Sequence, residues 1–207
     1  MADMKRFWIF SMALLVVYTV ALVVVELRTS QDFVRNFFTD IEGPVPFFAI
    51  NTTLSVFLLL ATALVFLISL AVTEARPENV VLRRFFWSQV FVFAFLGCDD
   101  RFKLHENLAF RLETEDHYSL IAIGVAEALL LFVLGRSFLR GRAGLFLAAA
   151  CVLFCVMLLF DAVVPHEMRL RLSLEDLAKT WSSLFFFLFS WEILNDRVCA
   201  LAGRGPA

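Results

Sequence analysis

The chain has 207 residues, 61% of them hydrophobic and 18% charged, with a net charge of −2 and a mean hydropathy of +0.82. Water-soluble domains carry about 25% charged residues and seldom hold apolar runs of twenty, so this composition excludes a soluble globular enzyme. No basic arm or stripe is present, which excludes a nucleic-acid partner and leaves the lipid bilayer as the one the composition implies.

The start, Met1 to Arg6 followed by apolar Phe7–Val25, resembles a secretory signal. Its apolar stretch is about twenty residues and no small-residue cleavage site closes it, so it reads as a retained first span. Further apolar runs place spans at 46–72, 80–98, 118–135, 143–163 and 178–195, after the first at 7–26. Each is long enough for a membrane helix, although the third must let Arg83 and Arg84 snorkel. Gly43-Pro44-Val45-Pro46 leads into span two, Pro77 separates spans two and three, Gly141 and Gly144 flank the short fourth connection, and Pro165 follows span five. The expectation is an all-α integral membrane bundle of about six transmembrane helices, one polytopic domain over 1–207 built of three hairpins.

Loop charge orients it. With the N-terminus inside, the cytoplasmic segments hold Lys5, Arg6, Arg76, Arg83, Arg84, Arg136, Arg140, Arg142, Arg197 and Arg204, and Trp8, Trp87 and Trp191 fall at inner ends. Both termini are then cytoplasmic, as for a multi-pass protein of the plasma (inner) membrane. Fourteen of the twenty acids, and all three histidines, fall on the outer side.

Cys98, Cys151, Cys155 and Cys199 suggest no disulfide framework, and Cys151 and Cys155, one turn apart in an apolar run, read as small packing residues. The 25 phenylalanines suit lipid-facing and helix-packing surface.

Two segments match. After span three the chain reads Asp100-x4-His105-Glu106-x4-Arg111-Leu112-x2-Glu115-Asp116. After span five it reads Asp161-x4-His166-Glu167-x3-Arg171-Leu172-x2-Glu175-Asp176. Seven identities with a one-residue gap, each after an odd-numbered span, suggest that the last two hairpins are a degenerate parallel repeat. Asp, Glu and neutral His are ligands for a divalent metal such as zinc, iron or manganese, so Asp100, His105, Glu106, Asp161, His166 and Glu167 form a candidate site. On a continuous helix Asp100 and His105 would stand about 140° apart, so the helix must end between them. Pro165 supplies such an end only in the second copy. No second His completes a zincin motif, since Ala109 and Leu170 stand there. A structural reading covers part of the pattern: acids at helix starts, a capping box at Ser173-x-x-Asp176, and a Glu175–Lys179 pair.

Glu127 falls near the middle of span four, where a lone carboxylate is costly and marks a functional site or a hydrogen-bonded anchor. Gln89 and the Asn51-Thr52-Thr53-x-Ser55 stretch are its expected partners. Gln89 and Asp100 lie three turns apart on one helix face.

The run Leu96-Gly97-Cys98-Asp99-Asp100-Arg101-Phe102-Lys103-Leu104-His105-Glu106 resembles a DDxFxLHE-like motif of uncharacterised bacterial multi-pass membrane proteins, in which an acidic stretch with a Lys follows a later span, as Glu175, Asp176 and Lys179 do here. The resemblance covers spans three to six and implies no activity. A looser analogy to the membrane hydrolases that include alkaline ceramidases and adiponectin receptors fails on the missing His-x3-His pair and seventh span. Two functions follow as expectations: a metal-dependent hydrolase of lipid or lipid-linked substrate acting at the outer face, or a non-enzymatic protein, either a small transporter built around Glu127 or a subunit of a larger membrane complex.

Overall fold

The computed structural model of the chain describes residues 2–35, 37, 49–74, 80–112, 116–165, 168 and 170–203. Among them the structure is all-helical. Helices α1 (Ala2–Arg28), α2 (Gln31–Arg35), α3 (Ile50–Glu74), α4 (Val80–Phe102), α5 (Leu104–Leu112), α6 (Asp116–Leu134), α7 (Gly141–Val163) and α8 (Arg171–Leu201) follow in order, with a 3-10 turn at Arg136–Phe138. Six are long, and each carries one of the expected spans; residues 46–48 of the second lie outside the described residues.

Four helical segments are long and apolar enough to cross a membrane: Ile9–Arg28, Ile50–Thr73, Val80–Phe102 and Gly141–Val163. Tyr118–Leu134 is a shorter apolar helix. The sixth, α8, has 31 residues and so a length of about 46 Å. Its apolarity is broken by Thr180, Ser182, Ser183, Ser190 and Glu192, all of which are buried. The reason is its position, because α8 packs against α7, α3 and α1 and presents these residues to other helices. Small side chains let it approach α7 closely, and Ser182 Oγ donates to the Ala150 carbonyl across that interface at 2.9 Å. Small size matters again where α4 meets α3, since a Cβ on Gly97 would stand 2.8 Å from Leu60.

Phenylalanine fills one half of the bundle. Phe66 is fully buried among Phe85, Phe93 and Phe189, with ring centroids at 6.1, 5.7 and 5.9 Å. Phe85 stacks in turn on Phe138 at 4.9 Å. These offset and edge-on contacts hold α3, α4, α8 and the 3-10 turn together. The cysteines depart from expectation: among the described residues Cys151 and Cys155 are exposed on α7.

Candidate functional site

At one end of the bundle α1, α4 and α7 finish and α3 and α8 begin. Three of the five buried charged residues among those described, Glu26, Asp99 and Arg171, gather there, and so does the backbone strain. Ala49, Lys103 and Leu170 have φ of 48°, 52° and 70°, a left-handed conformation that costs a non-glycine residue about 1–3 kcal/mol and persists where surrounding contacts over-determine it.

Lys103 ends α4, so the helix is interrupted in the first copy of the repeated motif without a proline. Asp99 holds the break: its Oδ1 accepts the His105 backbone N–H at 2.7 Å and its Oδ2 meets His105 Nδ1 at 2.7 Å. A carboxylate only accepts, so Nδ1 is the protonated nitrogen. Asn107 Nδ2 donates to the Phe102 and Lys103 carbonyls at 3.3 and 2.9 Å, completing the end of α4. His105 is thus held by Asp99, not by the Asp100 of the expected pattern. Adjacent residues on a helix point about 100° apart, so the two carboxylates serve different neighbours.

Asp100 faces α3 and α8. It accepts a hydrogen bond from Ser55 and pairs with Lys179, which also lies 4.0 Å from Asp176. Beside them Asn51, fully buried, donates to the Asp176 carbonyl at 3.2 Å and accepts from Thr180 at 2.8 Å and Tyr18 at 3.3 Å. Asn51 and Ser55 therefore serve this end of the bundle, not Glu127 as expected. Asn51 ties α1, α3 and α8 together, a role that an isolated Asn near a span start does not announce.

Arg171 is buried and reaches back to the end of α7. It donates to the Phe160 and Asp161 carbonyls at 3.2 and 3.1 Å and contacts the Asp161 carboxylate at 3.4 Å. Its other partner is Glu175, at 3.4 Å; Lys179, the partner expected for Glu175, turns to Asp100. The expected capping box at Ser173 is replaced by a cap from another helix. Glu26, at the end of α1, is fully buried, accepts the Leu170 N–H at 2.8 Å and accepts from the Ser173 hydroxyl. A carboxylate at the first turn of α8 also suits the positive end of the helix dipole. In the sequence Glu26 is one of the fourteen acids counted on the outer side and nothing more, because its partners lie more than 140 residues away.

Burial raises the two acids at the start of α8. Glu175 is pushed up to about 7, with Asp176 and Asp161 adding to the effect and Arg171 and Lys179 opposing it. Asp176 is pushed up to about 6 by burial, against the Lys179 ammonium.

A second polar locus lies inside the bundle. Gln89 is fully buried on α4, and Glu127 on α6 is 8% exposed. The two side chains are neighbours, as expected, but neither oxygen of Glu127 nor either polar atom of Gln89 has a hydrogen-bond partner among the described residues. Cys151 of α7 is near enough to feel the Glu127 charge.

Of the six residues expected to bind metal, the structure places three side chains. His105 is held by Asp99, Asp100 is engaged by Lys179, and Asp161 by Arg171. The Glu106 side chain, His166 and Glu167 lie outside the described residues. Among those described, no three His, Cys, Asp or Glu side chains stand together as a metal site.

Residues 8–193 match the family described as Domain of unknown function (DUF8692), and the chain belongs to that family. No curated protein matches it. No solved structure does either.

Proposed function

Taking that family membership as the premise, we propose that the chain is a multi-pass protein of the plasma (inner) membrane, with both termini cytoplasmic, that moves a small cation through its helix bundle. The observation that carries this reading is the placement of buried polar groups along one face of α4. Asp100 sits at the outer end, paired with Lys179. Gln89, three turns deeper, stands beside Glu127. Ionisable groups in a membrane interior are expensive and mark ion paths, and coupling-ion sites of small transporters lie near the midplane. The polarity of α8 fits the same view, because a helix enclosed by others needs no apolar face toward lipid.

The test is reconstitution into phosphatidylcholine/phosphatidylglycerol vesicles carrying entrapped pH- and sodium-sensitive dyes, under an imposed potential. The expected result is cation flux well above protein-free vesicles that is lost in Asp100→Asn and Glu127→Gln. Flux equal to that of empty vesicles overturns the reading.

One observation favours the metal-dependent hydrolase. A carboxylate behind an imidazole is the way metal-bound histidines are oriented, and Asp99 stands so behind His105. The described residues do not by themselves complete a site, so no hydrolytic step is derived. Stoichiometric zinc, iron or manganese in the same purified protein, lost in His105→Ala and in His166→Ala, would replace transport with this reading.

A further inference from the structure

We propose that Glu127 and Gln89 form a proton-binding site, and that the proton is the cation moved. The binding claim stands on its own geometry; the claim about movement rests on the transport reading above.

Four buried polar atoms without a hydrogen-bond partner among the described residues define the site: both oxygens of Glu127, and Nε2 and Oε1 of Gln89. Leaving an amide and a carboxyl unpaired in an apolar interior costs several kcal/mol, and leaving a carboxylate ionised there costs far more. A ligand is therefore required, and the donor set says which. A metal cation in such a place takes about six oxygens. Glu127 and Gln89 supply three, the Gln89 amide nitrogen presents hydrogens that repel a cation, and the Cys151 thiol of α7, which feels the Glu127 charge, is no hard oxygen ligand.

A proton satisfies all four atoms with two hydrogen bonds. Once protonated, Glu127 donates its O–H to Gln89 Oε1, while Gln89 Nε2 donates to the other Glu127 oxygen. Loss of the proton leaves one hydrogen bond and orphans Gln89 Oε1. The step forms one O–H bond on the carboxylate and breaks one in a hydronium ion, releasing water; nothing is oxidised or reduced. The pairing joins α4 to α6, which are in contact, so occupancy by a proton is coupled to how these two helices hold each other.

Among the described residues no charged side chain acts on the Glu127 carboxyl, whose environment is set by burial and Gln89. Of the elements packed against α6, α4 brings Gln89 and α7 brings Cys151, with Cys155 one turn beyond it. The turn after α6 brings Arg136, whose guanidinium lies over Phe132 at 5.4 Å. α5 brings Arg111 and His105, the latter held by Asp99.

The experiment uses the full chain in lipid vesicles. Infrared difference spectra across about pH 5 to 9 follow the carboxyl C=O band, and dicyclohexylcarbodiimide, an apolar reagent for protonated carboxyls, is mapped by mass spectrometry. A reversible, pH-dependent band is expected that disappears in Glu127→Gln and shifts to higher frequency in Gln89→Leu, as the acid loses its acceptor. Labelling at Glu127 should fall at least tenfold in passing from the acid to the alkaline end of the range. Gln89→Leu keeps the test meaningful if Glu127→Gln fails to give monodisperse protein. A band that never titrates, or labelling that avoids Glu127 at every pH, overturns the site. A titrating Glu127 with no proton flux in the vesicles keeps the site and overturns the movement.

Discussion

The two halves of this bundle are held by different physics. Where α1, α4 and α7 end, the helices are joined by ion pairs and hydrogen bonds from Glu26, Asn51, Asp100 and Arg171. Toward the other end, where α3 and α8 approach their C-termini and α4 begins, the joint is stacked phenylalanine around Phe66. Lipid is as apolar as a phenylalanine core, so aromatic packing gives cohesion without much preference between neighbours. Hydrogen bonds and charges have defined partners. The polar end therefore sets which helix meets which and in what register, and it does so at the cost of three strained residues and several buried charges.

The sharpest way to break that contrast is to remove one charge. Lys179→Ala leaves Asp100, whose side chain is only 7% exposed, without its cation, and should destabilise the folded protein by about 3–5 kcal/mol. The Lys179→Ala, Asp100→Ala double variant should recover much of the loss, because the uncompensated charge has gone. Thermal unfolding in detergent, read as a double-mutant cycle, measures this; a single variant as stable as the wild type would reduce the polar end to ornament. At the opposite end Phe66→Ala should cost less, about 2–3 kcal/mol, below the ~3–5 of water-soluble cores. The cavity and lost dispersion remain, while the transfer out of water that adds to such losses in soluble proteins is absent.

The apolar half was the legible one. Long apolar runs and abundant phenylalanine specified long apolar helices, and over the described residues each expected span lies on a helix to within one residue. The polar end was legible only as composition: acids and histidines crowd one side. Its pairing was not, for two physical reasons. Asp99 and Asp100 are chemically equal in sequence, yet about 100° of helix rotation sends one to His105 and the other to Lys179. The partners of Glu26 and Asn51 lie across the fold, where no spacing rule reaches. The repeated Asp-x4-His-Glu pattern also promised more likeness than the described residues show. In the first copy Asp99 takes the histidine and Asp100 a lysine from α8, whereas in the second Asp161 is taken by Arg171 of its own copy.

The smallest expected effect is a pH dependence confined to the polar end. Glu175 and Asp176 titrate in the folded protein near 7 and 6, above their ordinary 4.5 and 3.8. Between those values the folded chain binds more protons than the unfolded one, so stability falls as pH rises. Their contribution is fully present below about pH 4 and is lost as pH passes through about 6 and then about 7. The apparent melting temperature in detergent should therefore decline modestly from about pH 5 to about pH 8. Glu175→Gln should remove the part of that slope nearest neutrality, while Phe66→Ala, at the other end, should shift the whole curve down without changing its shape. A melting temperature that climbs across this range, or a slope untouched by Glu175→Gln, would mean that Arg171 and Lys179 outweigh burial at the start of α8, and that this end is held by attraction alone.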